Sequence, residues 1–151
     1  MPKTYLLILL FLLLIILAFG YYIFFKKDNR GNEIKCVKIN NLIIRVDIAD
    51  NVFKRSKGLG GRVGLADDKG MFFIFPTYAK QSFWMKDMNF AIDIIWIKDK
   101  EIVDISQNIS PASYPKTYQP QAPVNYVLEV NAGFCDKHNI KIGQKVGYSD
   151  C

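Results

Sequence analysis

Two acidic residues fall inside strongly apolar stretches: Asp93 within Ala91-Ile92-Asp93-Ile94-Ile95-Trp96-Ile97, and Glu129 within Tyr126-Val127-Leu128-Glu129-Val130. If these stretches are extended, Asp93 shares a face with Ala91, Ile95 and Ile97, and Glu129 with Val127 and Asn131. A carboxylate among apolar neighbours must find a partner or shift its pKa upward. Arg62 or Lys86 could supply the partner. Held near one another, the two acids would suit general acid or base work, with Arg62 or Lys86 stabilising an anion. A separation of about 5 to 10 Å would suit glycoside hydrolysis. The structural alternative is two carboxylates tying loops to a scaffold through backbone N–H groups.

Other side chains extend or narrow this chemistry. Ser82, Trp84 and Lys86 alternate on an extended segment, opposite Phe83, Met85 and Asp87. Ser82 and Lys86 are about 13 Å apart on a strand, too far for a nucleophile–base pair. Trp84, Tyr114 and Tyr118 offer flat faces to a sugar or another ring, although strand aromatics are commonly core. The single histidine, His138, has no serine and aspartate arranged for a triad. The glycines at 58–64 lack the Lys-Ser or Lys-Thr ending of a phosphate loop. Cys135 and His138 are two ligands at most, so no metal is expected. Cys36, Cys135 and Cys151 allow one bridge and one free thiol outside the cytoplasm, with the pairing left open.

These residues need elements to carry them. Ile34–Ile39 and Leu42–Asp47 flank Asn40-Asn41 as a hairpin. Asp50 reads as the N-cap of a short helix through Lys57, with Gly58 ending it. Met71–Phe75 is an apolar strand bounded by Gly70 and Pro76. Further strands are expected at 82–86, 90–97, 101–106, 126–130 and 145–148, with a helical turn or two within 132–138. Residues 107–125 contain Pro111, Pro115, Pro120 and Pro123, which excludes a central strand or a helix there. The pattern predicts a mainly β domain, a compact β-barrel or jelly-roll-like sandwich with one or two short helices.

Ahead of this domain, residues 6–25 form an unbroken apolar run in which sixteen side chains are Leu, Ile or Phe. Twenty helical residues span about 30 Å, the thickness of the bilayer hydrocarbon core, so a transmembrane helix is expected. A signal peptide has an apolar region of only about 7 to 15 residues, which favours an uncleaved anchor. The expected organisation is an anchor over 1–25, a polar tether over 26–35 and a β domain over 36–151. The formal charge of +6 includes Lys3 and is otherwise scattered among acids. That describes a solvated surface rather than a nucleic-acid site, while Lys26, Lys27 and Arg30 suit anionic headgroups.

Four segments in order resemble the DUF192 family: Lys54-Arg55-Ser56-Lys57-Gly58-Leu59-Gly60-Gly61-Arg62, Gly70-Met71-Phe72-Phe73-Ile74-Phe75, Ser82-Phe83-Trp84-Met85-Lys86-Asp87 and Tyr126-Val127-Leu128-Glu129-Val130-Asn131-Ala132-Gly133. This chain departs from the family pattern at Gly60, at Asp87-Met88, and at Ala91-Ile92 before Asp93. The resemblance implies a compact β fold outside the cytoplasm, N-terminus in and C-terminus out, and no established activity or cofactor. The count of positive charges alone narrowly favours the reverse orientation. A site is expected where motif-bearing loops converge at a barrel mouth, from Arg62, Trp84, Lys86, Asp87, Asp93, Tyr118 and Glu129. The expected function is a membrane-tethered extracytoplasmic module binding a small polar, glycan or protein ligand. The alternative is a carboxylate-dependent, hydrolase-like enzyme.

Overall fold

The computed structural model describes residues 12–21 and 34–151, which fall in two separate compact units, Met1–Glu33 and Ile34–Cys151. In the first unit, residues 12–21 are helical and exposed (α1). Among the described residues no helix is long and apolar enough to cross a membrane. The transmembrane expectation is therefore not supported by the described structure. The rest of its run, 6–11 and 22–25, lies outside the described residues, as does the tether up to residue 33.

The second unit is built on one seven-stranded mixed sheet. Its strands are β1 (Cys36–Ile39), β2 (Leu42–Ala49), β3 (Lys69–Ala79), β5 (Ile92–Lys98), β6 (Glu101–Ile109), β8 (Val124–Asn131) and β9 (Val146–Ser149). The spatial order is β6-β5-β8-β3-β2-β1-β9. A small second sheet pairs β4 (Phe83–Trp84) with β7 (Thr117–Tyr118). The main sheet curls into a half-barrel rather than a two-sheet sandwich. Its edges touch at one end, where Glu101 of β6 bridges Lys145 and Ile102 N–H donates to the Gln144 carbonyl at 3.0 Å.

Adjacent strands run antiparallel except β2 and β3, which are parallel. A parallel pair needs a crossover, here residues 50–68 with helix α2 (Val52–Lys57) and the glycine-rich loop behind it. Asn51, one residue past the expected Asp50, is the N-cap: its side chain accepts from Lys54 N–H at 3.0 Å. Asp50 instead accepts from Lys54 Nζ at 2.9 Å, which holds its carboxyl below the ordinary range. Gly58 ends the helix at φ 50°. β3 runs through Pro76 instead of stopping before it, because the ladder to β8 lapses between Ile74 and Ala79 and demands no N–H there.

The sheet buries both faces. Ile95, Ile97, Leu128, Val130 and Phe72 pack inside the curl with residues from β1, β2, β6 and β9. Ile94, Trp96, Val127, Met71 and Phe73 pack outside it under Leu59, Met85 and Val124. Two-sided burial explains why β5 reads as a continuous apolar run instead of an alternating one. The Cys36–Cys151 disulfide, with Cα atoms 5.3 Å apart, ties the start of β1 to the chain end beyond β9. Helix α3 (Phe134–Lys137) follows β8.

Candidate functional site

The two acids that look equivalent in sequence have opposite fates. Asp93 belongs to the face of β5 that carries Ile95 and Ile97 inside the curl, and it is 0% exposed. Its Oδ1 accepts from Asn108 N–H at 2.8 Å and Gly133 N–H at 3.2 Å. Its Oδ2 accepts from Cys135 N–H at 2.9 Å. The carboxylate thus satisfies the first turn of α3, whose own N-cap, Gly133, has no side chain to offer. Neither Arg62 nor Lys86 is its partner. Backbone N–H groups do the work, as the structural alternative requires. The neighbouring Cys135 thiol is buried; desolvation and Asp93 push its pKa up, so it stays a thiol.

Glu129 lies on the opposite face of the sheet. It pairs across β8 with Met71 of β3 and Ile94 of β5, both members of the outer cluster. It is 5% exposed, and its Oε2 has no hydrogen-bond partner among the described residues. Burial pushes its pKa up to about 8, against a smaller opposing pull from Arg62. Near neutral pH this carboxyl is mostly protonated and can donate a hydrogen bond as well as accept one.

Glu129 lines a cavity of about 270 Å³. Its walls come from four places in the chain: Arg55, Ser56 and Lys57 of α2, Phe73 and Phe75 of β3, Ser82, Phe83 and Trp84 around β4, and Lys86 and Met88 after it. The alternation read from sequence explains the β4 wall. Ser82, Trp84 and Lys86 are exposed and line the cavity, half-buried Phe83 lines it from the core side, and Met85 is buried away from it. Phe83 meets Phe73 and Trp96 edge-on at 4.9 and 5.4 Å, which fixes the wall to the outer core. Trp84 is 55% exposed, and Tyr114 stands edge-on to it at 6.3 Å. On the α2 side, Arg55 donates to the Ile74 carbonyl at 2.9 Å and lies over the Phe75 ring at 5.3 Å.

The expected site residues therefore divide. Trp84, Lys86 and Glu129 line one cavity. Arg62 does not line it; it influences Glu129 through charge while pairing with Asp47 at 2.6 Å. Asp87 occupies an exposed turn at φ 59°, where its carbonyl accepts from Gly61 N–H at 2.7 Å and pins the glycine loop. Tyr118 pairs with Phe83 across β4 and β7, packing on the outer cluster, with Lys116 Nζ 4.9 Å from its ring. Asp93 stands on the other face. Arg55, Ser56 and Lys57 are cavity residues that sequence reasoning missed, because a short basic helix reads as a solvated surface. The permissive glycines that follow them were the signal that this turn lies close to something.

The DUF192 family profile, described as uncharacterized ACR, matches residues 35–148. The chain belongs to the DUF192 family. A curated relative, a UPF0127 protein of Thermococcus sibiricus (strain DSM 12597 / MM 739), is 31% identical over 107 residues, 69% of this chain. The match spans 66% of that relative's own length. Two crystal structures share the fold seen here. A protein of unknown function from Novosphingobium aromaticivorans DSM 12444 has a TM-score of 0.72 at 29% identity, covering 78% of this chain and 86% of its own. A "putative transcription regulator" from Sinorhizobium meliloti 1021 has a TM-score of 0.70 at 28% identity, covering 75% and 90%.

Proposed function

We propose that this DUF192 domain is a membrane-tethered, extracytoplasmic ligand-binding or accessory module of the cell envelope. The observation that carries the binding role is Glu129, a buried acid with an unpartnered oxygen lining a cavity with Trp84 and Lys86. An orphaned buried polar atom costs about 1 to 3 kcal/mol, and a ligand would relieve that cost. The tethered placement rests on two features. The apolar run 6–25 is long enough to enter a bilayer, and a disulfide forms and persists in an oxidising compartment. The family resemblance supports an orientation with the N-terminus in and the C-terminal domain out.

The paired-carboxylate enzyme is the weaker reading. Asp93 and Glu129 occupy opposite faces of the sheet, and Asp93 is saturated by backbone donors. Among the described residues that line the cavity, Glu129 is the one acid. The regulator name belongs to the Sinorhizobium protein; the charges here are scattered, and we keep nucleic acid out of the proposal. External protease added to intact cells tests the placement. Digestion of the domain, with the N-terminal fragment left in the membrane, is expected. Full protection would reverse the orientation, and recovery of the intact domain in the soluble fraction would remove the tether.

A further inference from the structure

Resting on the cavity reading above, we infer that the ligand is a compact anion built on a flat ring, its ring against Phe83 and Trp84 and its acidic group met by Lys57 and Lys86. Three observations select this class. Arg55, Lys57 and Lys86 are the charged residues of the lining besides Glu129. Lys57 and Lys86 form no ion pair among the described residues, so their charge is available to a ligand. Aromatic side chains from β3 and the β4 region supply faces and edges suited to a planar ring. The volume, about 270 Å³, lies just under the usual range for drug-sized ligands and calls for a small molecule.

Glu129 adds a second requirement. In its neutral form it donates a hydrogen bond to an acceptor on the ligand; in its charged form it repels an anion. The groups around it set that balance. Lys57 and Arg55 come from α2, Arg62 from the loop after it and Lys86 from the segment after β4. Met71 of β3 and Ile94 of β5 are apolar neighbours. Affinity for a ring anion should therefore fall as pH rises through the range in which Glu129 ionises. A cationic ring would be repelled by Lys57 and Lys86.

The test uses the full chain in lipid nanodiscs and four probes: indole carboxylate, neutral indole, tryptamine and inorganic phosphate, titrated by calorimetry. Indole carboxylate should bind at least about tenfold more tightly than each of the others at about pH 6.5, a free-energy gap of about 1.4 kcal/mol. Its affinity should drop about tenfold or more by about pH 9.5, and Glu129→Gln should remove most of that drop. The double variant Lys57→Ala, Lys86→Ala should weaken indole carboxylate about tenfold while leaving indole unchanged. This second variant keeps the test decisive if Glu129→Gln does not fold. Tighter binding of tryptamine or indole would overturn the anion class and leave the cavity reading standing. Phosphate binding as tightly as indole carboxylate would overturn the ring requirement. Binding of none of the four would overturn the inference and count against the cavity itself.

Discussion

Asp93 and Glu129 show how the same residue type is put to different use by what its strand faces. Asp93 has three N–H donors, so Asp93→Asn should cost about 1.5 to 3 kcal/mol of stability, the worth of hydrogen bonds to a charged group. Ligand affinity should not change, because the cavity lies across the sheet. Chemical denaturation with a parallel binding titration checks both halves. Glu129 makes the opposite prediction. Its pKa is about 8 in the folded chain and an ordinary 4.5 when unfolded. Between those values the unfolded state releases a proton that the folded state keeps, so stability falls as pH rises across that window. The slope approaches roughly 1.4 kcal/mol per pH unit, flattening above the folded pKa. Glu129→Gln should flatten the curve and make the variant more stable than the wild type near pH 8, as read by melts across the window. The sequence showed that both acids needed explaining. It did not show the answers, because the donors to Asp93 come from Asn108, Gly133 and Cys135, at sequence distances no periodicity reports.

At the scale of elements, the site depends on how closely β3 approaches β8. A Cβ at Gly70 would lie 2.9 Å from the Glu129 carbonyl oxygen and 2.9 Å from Leu128 Cδ1. The oxygen is backbone in a central strand and cannot simply swing away. Gly70→Ala should therefore destabilise by about 1 to 3 kcal/mol, the usual cost of overpacking, and should displace Glu129 from the cavity. A lowered denaturation midpoint together with weakened ligand response is expected; unchanged stability would mean that β8 yields easily. The hairpin at Asn40, the stop at Gly58 and the alternation of Ser82, Trp84 and Lys86 were legible because each is set by local chemistry. The N-cap moved from Asp50 to Asn51 because both types cap well and only the backbone chooses. β3 outran Pro76 because a gap in its ladder made the missing N–H harmless, and such a gap depends on β8, far along the chain.

For the whole molecule, sequence pattern gave a β domain, while the curl of one sheet instead of two stacked layers follows from which strands pair across long separations. The β2–β3 crossover is the consequential case: it lays α2 and the glycine loop over the outer face, where Arg55, Ser56 and Lys57 meet the β4 wall and Glu129. A site that reads as scattered basic, aromatic and acidic residues becomes one cavity only through that topology. The disulfide between Cys36 and Cys151 then joins the start of β1 to the residue beyond β9. The central claim is that this outer-face cavity is where the domain binds. It is tested most directly by nuclear magnetic resonance with the indole side chains observed during a ligand titration. Trp84 faces the cavity, whereas Trp96 is buried and donates to Ser106 Oγ at 3.0 Å. A ligand found by screening should shift the Trp84 indole N–H and the backbone signals of Lys86 and Glu129, leaving Asp93 and α3 still. Shifts gathered around Asp93 and α3, with Trp84 unmoved, would contradict the account.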